Sequence, residues 1–128
     1  MACTDKADKT WEKVVAGQKL KMTVTGNKGG FTAAATFFDA DGSEEIWTAA
    51  ELLAGKESKA LASPGTHVLI ARVIVDPTAP ADLKVEVAST LGSASHCHTV
   101  TAKDTTKMTH TIRMAALAPA PPQPGGGS

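Results

Sequence analysis

The stretch Thr66-His67-Val68-Leu69-Ile70-Ala71-Arg72-Val73-Ile74-Val75 is the strongest indication of fold class in this chain. It is rich in β-branched residues, apolar on both alternating sides and preceded by a Pro64-Gly65 turn signal, which is typical of a strand at the centre of a sheet. The next such stretch, Leu83-Lys84-Val85-Glu86-Val87, alternates strictly and predicts a strand with one face in water. Together the two stretches predict an all-β domain, a two-layer antiparallel β-sandwich.

Other alternating segments bring the expected number of strands to about eight, all within a single domain over residues 10–117. Strands are predicted over 31–38, where small residues favour close approach of another layer, and over 56–62. The last two strands, over 96–102 and 106–117, are expected to pair with each other as a terminal hairpin.

The segment between two of these strands allows two interpretations. Thr48 and Glu51 have the spacing of a capping box, which favours one short helix near 49–54. Such a short helix is stable only with tertiary packing, so a loop that crosses between the sheets is the alternative.

Composition and charge exclude several classes of partner. Hydrophobic residues make up 42% of the chain, and the 13 basic residues balance the 13 acidic residues. The charges are mixed along the sequence, without the basic stripe that phosphate contacts require, so we expect no nucleic-acid partner. No apolar run approaches the roughly 20 residues that span a bilayer, so we expect no transmembrane segment.

The two ends of the chain are expected to lie outside the sandwich. Residues 1–9 are polar, are expected to be irregular and contain no signal peptide. The chain is therefore either a cytosolic protein or a mature extracellular or periplasmic domain whose signal has been replaced by Met-Ala. In the second case Cys3 is a candidate lipid-anchored residue. Residues 118–128 have the Pro and Gly content of a linker or an added tail.

The chain contains two cysteines, Cys3 and Cys97, which allow one disulfide. A bond between them would close most of the chain into one loop, which is worth about 4–5 kcal/mol in the chain-entropy account. The alternative is two unrelated thiols, since pairing does not follow from spacing.

Histidines and methionines near the C-terminus form a candidate copper site. His96 and His98 are two residues apart and share one face of a strand, and Met108 and His110 share one face of the predicted partner strand. Imidazole and thioether groups both bind copper. The alternative is a hairpin with polar side chains in solvent and a methionine in the core.

An acidic turn is a candidate calcium site. Asp39 and Asp41 supply carboxylates in a glycine-containing loop, as calcium loops do. The third acidic position of a helix-flanked calcium loop is missing, and a plain hairpin turn explains the same residues.

Nothing in the sequence points to catalysis. There is no Gly-x-Ser-x-Gly arrangement and no glycine-rich phosphate loop, so we expect a protein that is not an enzyme. Trp11 and Trp47 are candidate platforms for stacking on a polysaccharide, and core burial is the alternative for both.

Several stretches together resemble the small bacterial extracellular β-sandwich accessory domains of the pre-peptidase C-terminal type. The matching residues lie in 16–24, 38–42, 63–70 and 83–87, so the resemblance covers roughly residues 11–89 and rests on turn signals. It departs at His67, where an aromatic residue is usual, and in the extra strands after 96. The resemblance implies an exported module without catalytic residues.

These observations predict a non-catalytic exported bacterial module that recognises a protein or polymer through loops and sheet edges. One alternative is a subunit of a homo-oligomeric or filamentous surface assembly, in contact through edge pairing of the strand with Ala33-Ala34-Ala35 and of the terminal strands. The other alternative is a periplasmic copper-binding protein that uses the histidine and methionine set.

Overall fold

The computed structural model describes residues 3–26, 29–101 and 105–114. These residues form nine strands and one helix. Their bounds are β1 Lys9–Val14, β2 Leu20–Gly26, β3 Phe31–Phe38, β4 Glu44–Trp47, α1 Ala49–Ala54, β5 Lys56–Glu57, β6 Gly65–Val75, β7 Lys84–Leu91, β8 Ala94–Thr101 and β9 Thr105–Met114.

The strands form two sheets, which confirms the predicted all-β sandwich. One sheet has the order β1-β9-β6-β3-β4 and the other β5-β2-β7-β8. Every pairing is antiparallel except that of β1 with β9, which is parallel. Inward-facing side chains of both sheets form one core, which includes Leu20, Met22, Val24, Leu69, Val73, Val85, Val87 and Ile112.

The apolar stretch over 66–75 belongs to strand β6, which lies in the middle of the five-stranded sheet between β3 and β9. Its inward residues from His67 to Val75 are buried, as predicted. Its outward residues are not, since Val68 and Ile70 are half-buried and Ile74 is exposed. The expectation of burial on both faces is therefore wrong for the outer face, because α1 does not cover this part of the sheet; it packs near β2 and β3.

The predicted terminal hairpin is wrong. Strand β8 pairs with β7 in the four-stranded sheet, and β9 pairs with β6 and β1 in the other. A tight turn at Gly92, with a positive φ of 62°, joins β7 directly to β8. Pairing with β7 occupies one edge of β8. Strand β9 instead pairs with β6 over ten residues of β6, from Gly65 to Ile74.

The segment around α1 confirms one prediction and corrects another. The helix spans Ala49–Ala54, and both hydrogen bonds of the capping box form at its start. The strand expected over 56–62 is only Lys56–Glu57. After it, Ser58 Oγ accepts a hydrogen bond from the backbone N–H of Leu20 at 2.9 Å, and this side-chain contact replaces the regular ladder.

The first strand, β1, starts at Lys9. Before β1, Thr4 forms an isolated antiparallel bridge with His98, so the described part of the first nine residues is fixed against β8. The expected linker over 118–128 lies outside the described residues.

Candidate functional site

The free edge of β8 is covered by the N-terminal segment. The backbone N–H of Asp5 donates to the carbonyl of Cys97 at 2.9 Å, and the N–H of Cys97 donates to Asp5 Oδ2 at 2.7 Å. His98 Nδ1 donates to the carbonyl of Asp5 at 2.7 Å, since a carbonyl can only accept. These contacts occupy the groups that a partner strand would use.

The other sheet edges are short or irregular. Strand β5 has two residues, and β4 has four and carries Glu44 and Glu45. Strand β1 has an irregular register between Trp11 and Val14, where Lys13 adopts a positive φ of 57°. Short, charged and bulged edges oppose strand addition, so the edges offer little surface for recognition.

The small-residue strand is not an edge. Strand β3 lies between β4 and β6, so its backbone groups are already paired on both sides. Ala33 and Ala35 point into the core, and only Ala34 of the three is exposed. The expected edge pairing through this strand is therefore wrong, because the position of β3 within the sheet leaves no free edge.

The solvent side of β3, β4 and β6, which we call the outer face, is a shallow surface that combines aliphatic side chains with Thr32, Thr36 and Arg72. It carries a groove of about 450 Å³. Ile46 is 70% exposed and Ile74 is 44% exposed at the two sides of this groove, and Ile70 and Ala34 lie between them. An exposed patch of aliphatic side chains is a feature of protein interaction sites.

Two cations lie side by side at the border of the outer face. Arg72 on β6 is in register with Lys107 on β9, and both point to solvent. Neither forms an ion pair with any residue that the structure describes. Like charges directly opposite each other on a sheet destabilise it, so an acidic group above this pair would relieve the repulsion.

A pair of buried imidazoles joins the two sheets. The rings of His96 on β8 and His110 on β9 lie edge to face, with centroids 5.1 Å apart. His96 is 5% exposed and His110 is fully buried. The Nε2 atoms of both rings and the Oγ of Ser89, which is in register with His96, have no hydrogen-bond partner among the described residues.

A hydrogen bond from Trp11 fixes the tautomer of His110. The indole N–H of Trp11 donates to His110 Nδ1 at 3.1 Å, and the two ring centroids are 6.0 Å apart with the ring planes 24° from parallel. Nδ1 is therefore an acceptor, which places the hydrogen of the neutral ring on Nε2. Burial, reinforced by the nearby His96, lowers the pKa of His110 from 6.5 to about 4, so the ring is neutral near pH 7.

The structure assembles only part of the expected copper set. It brings His96 and His110 together and buries Met108 on the inward face of β9. His98 lies at the sheet edge, with Nδ1 bonded to the carbonyl of Asp5. Metal binding by the His110 ring through Nδ1 would require loss of the hydrogen bond from Trp11. Copper binding by the four residues stays a prediction.

The two carboxylates of the acidic turn, those of Asp39 and Asp41, contact different partners. Asp41 Oδ1 accepts from the N–H of Ser43 at 2.9 Å and from its hydroxyl at 2.6 Å, and these bonds lower the pKa of Asp41. Asp39 Oδ1 lies 3.0 Å from Nδ1 of the buried His67. The first of these contacts is that of an ordinary Asx turn, and calcium binding stays a prediction.

Neither tryptophan is available as a stacking platform. Trp11 is only 4% exposed, and its indole N–H is hydrogen-bonded to His110. Trp47 is fully buried against Phe37, and its indole N–H donates to Glu45 Oε1 at 2.7 Å. The suggestion of sugar stacking is wrong for both, because their rings are used in the core. The ring of the buried His67 is hydrogen-bonded, since its Nε2 donates to the carbonyl of Ser63 at 2.8 Å.

Cys3 and Cys97 form a disulfide, with Cα atoms 4.9 Å apart. This resolves the alternative left open by the sequence. It also argues against a lipid anchor at Cys3, because a sulfur in a disulfide cannot carry a thioether-linked lipid. The two sulfurs and a carboxylate oxygen of Glu86 lie within 4.8 Å of one another, a grouping that the sequence did not indicate.

Comparison with known proteins found no matching family model, no matching curated protein and no matching solved structure. Within the described ranges, no helix is long and apolar enough to cross a membrane.

The sequence left the disulfide as one of two alternatives and did not indicate the outer face. The outer face escaped notice because the apolar residues of β6 looked like buried ones. The one signal for it was Arg72, a charged residue in the middle of an otherwise apolar strand, which marks the face turned to solvent.

Proposed function

We propose that this protein is a non-catalytic, exported module that binds a protein partner through the outer face. The exposure of Ile46 and Ile74 around the groove carries this proposal. Complete burial of a fully exposed isoleucine contributes about 1.5–3 kcal/mol, and a partner that covers the exposed parts of Ile46 and Ile74 gains a corresponding fraction of this for each.

The protected sheet edges support a face-directed mode of binding. The edge of β8 is covered by the N-terminal segment, and β4 and β5 are short. Strand addition would have to displace these contacts, whereas docking on the outer face displaces only water.

Charge indicates the chemistry of the partner. Arg72 lines the groove, and Lys107 is its register neighbour on β9. A partner surface with aliphatic side chains and at least one carboxylate would fill the groove and neutralise this pair. We therefore expect an acidic and aliphatic protein segment.

Location outside the cytosol is part of the proposal. The Cys3–Cys97 disulfide supports it, because such bonds form and persist in oxidising compartments.

The test selects, from a displayed library of random peptides, those that bind the purified, oxidised protein. We expect enriched peptides that combine aliphatic residues with Asp or Glu. Ile46→Ser and Arg72→Glu should each weaken their binding at least about tenfold, since each removes roughly 1.4 kcal/mol or more. Leu53→Ser is the matched control, because Leu53 is an exposed aliphatic residue on α1, away from the groove.

Two results would overturn this function. One is a set of peptides that binds the Ile46→Ser and Leu53→Ser variants equally well. The other is a stable dimer of the 13.1 kDa chain that Ile46→Ser dissociates, because the face would then bind a second copy. Thermal unfolding of each variant verifies that the surface substitution leaves the fold intact.

A further inference from the structure

The disulfide lies beside a carboxylate on the outward side of the four-stranded sheet. The three potential ligand atoms, the sulfurs of Cys3 and Cys97 and an oxygen of Glu86, lie within 4.8 Å of one another. All three residues are half-buried. They come from three separate parts of the chain, since Cys3 precedes β1, Glu86 belongs to β7 and Cys97 to β8.

The three residues are held together by contacts other than the disulfide. Asp5 exchanges two hydrogen bonds with the backbone of Cys97. The hydroxyl of Thr99 donates to the carbonyl of Cys3 at 2.9 Å. Thr99 is itself in register with Glu86 across β7 and β8. These contacts hold the backbones of the three residues close together independently of the disulfide.

We propose that the reduced form of this chain binds one Zn²⁺ ion through Cys3, Cys97 and Glu86. Two thiolates and a carboxylate are ligands that Zn²⁺ takes at about 2.0–2.3 Å, with a fourth tetrahedral position left for water. The two cysteine sulfurs disfavour Mg²⁺ and Ca²⁺, which take oxygen ligands.

Charge favours the metal over the free dithiol. A carboxylate close to two thiols opposes their ionisation, because like charges repel at this distance. A divalent cation bound among the three groups removes that repulsion and displaces the two thiol protons. Binding therefore requires reduced cysteines and releases two protons for each ion taken up.

The chemistry balances with a phosphine as reductant. The disulfide, the phosphine and one water give two thiols and the phosphine oxide. Zn²⁺ then replaces the two thiol protons to form two Zn–S bonds. The metal site and the disulfide use the same sulfurs and exclude each other, so the site belongs to a chain that has not yet been oxidised.

The experiment compares metal binding by the oxidised and the phosphine-reduced protein. Zn²⁺ is titrated against a chromophoric chelator, and Co²⁺ replaces Zn²⁺ to report thiolate coordination through its charge-transfer absorption. We expect one ion per reduced chain and none per oxidised chain. Glu86→Gln should weaken Zn²⁺ binding by the reduced protein at least about tenfold.

Matched variants separate this site from adventitious binding. Glu44→Gln removes an exposed carboxylate on β4 and should leave the affinity unchanged. Glu12→Gln removes an exposed carboxylate on β1 and should also leave it unchanged. The inference is overturned if reduced protein shows no thiolate–cobalt absorption, or if Glu86→Gln binds Zn²⁺ as tightly as the parent chain. Neither result affects the proposed function, whose test uses oxidised protein.

Discussion

Among single residues, the charge state of His110 is the one most strongly affected by its surroundings. Its ring is buried between the sheets, accepts a hydrogen bond from Trp11 and lies against His96. Burial is the largest cause of the lowered pKa of His110, His96 and Lys9 act in the same direction, and Asp8 opposes them. A proton on this ring would place a charge in the core without a described partner.

This residue makes the fold sensitive to acid. The pKa of His110 is about 4 in the folded chain, against 6.5 for an unperturbed histidine, so between these values the unfolded chain binds more protons. The free energy of unfolding therefore falls as pH falls from about 6.5 to 4, by roughly 3 kcal/mol from this group. Urea denaturation across this pH range measures the effect.

The comparison that isolates His110 uses two variants. His110→Gln does not titrate and keeps an oxygen that can accept from Trp11, so its stability should vary less with pH in this window. His98→Gln alters a histidine at the sheet edge and should keep the parent slope. An unchanged slope in His110→Gln would contradict the assignment.

At the scale of elements, α1 depends on its capping box. The side chain of Thr48 accepts from the N–H of Glu51 at 3.3 Å, and Glu51 Oε1 accepts from the N–H of Thr48 at 3.0 Å. The helix is only six residues long and ends at Ala54, followed by the capping residue Gly55, whose φ is 95°. A helix of this length gains little from its own backbone, so the cap and the buried Leu52 stabilise it.

Removal of the cap should have a measurable cost. Thr48→Ala leaves the N–H of Glu51 without its side-chain acceptor, and we expect a loss of about 1 kcal/mol in the free energy of unfolding. Thr48→Ser retains the hydroxyl and should stay close to the parent. Urea denaturation measures both variants, and equal losses for alanine and serine would show that the hydroxyl contributes nothing.

At the scale of the whole molecule, the disulfide joins two distant parts of the sequence. Cys3 and Cys97 are 94 residues apart, and the bond ties the N-terminal segment to β8. The parallel pairing of β1 with β9 makes a second contact between early and late segments of the chain. These contacts link the N-terminal segment to both sheets.

Loss of the disulfide should destabilise the whole fold. For a loop of this length the chain-entropy account gives about 4–5 kcal/mol, because the bond restricts the unfolded chain. The Cys3→Ser, Cys97→Ser double variant should therefore unfold at a much lower urea concentration than the oxidised parent. A difference below about 1 kcal/mol would contradict this prediction, because it would show that the bond restricts the unfolded chain much less than the chain-entropy account requires.

The sequence predicted the secondary-structure elements better than it predicted which strands pair with each other. Alternation in 83–87 correctly assigned the inward and outward residues of β7, and the capping box correctly located α1. The pairing of β8 with β9 was wrong, because nearness in sequence favours a hairpin only when no other strand offers a better register. The short length of β5 also escaped prediction, since a buried Ser58 side chain ends the ladder.

The all-β class, the alternation of core and surface residues and the one possible cysteine pair all follow from the sequence alone. They depend on side-chain period and on composition, which are local properties of the chain. Three features follow only from the tertiary structure: Ile46 and Ile74 stay uncovered, His96 meets His110 across the sheets, and Glu86 lies beside the disulfide. Each of these depends on which strands become neighbours, and that choice is made by packing between distant segments, which no local pattern encodes.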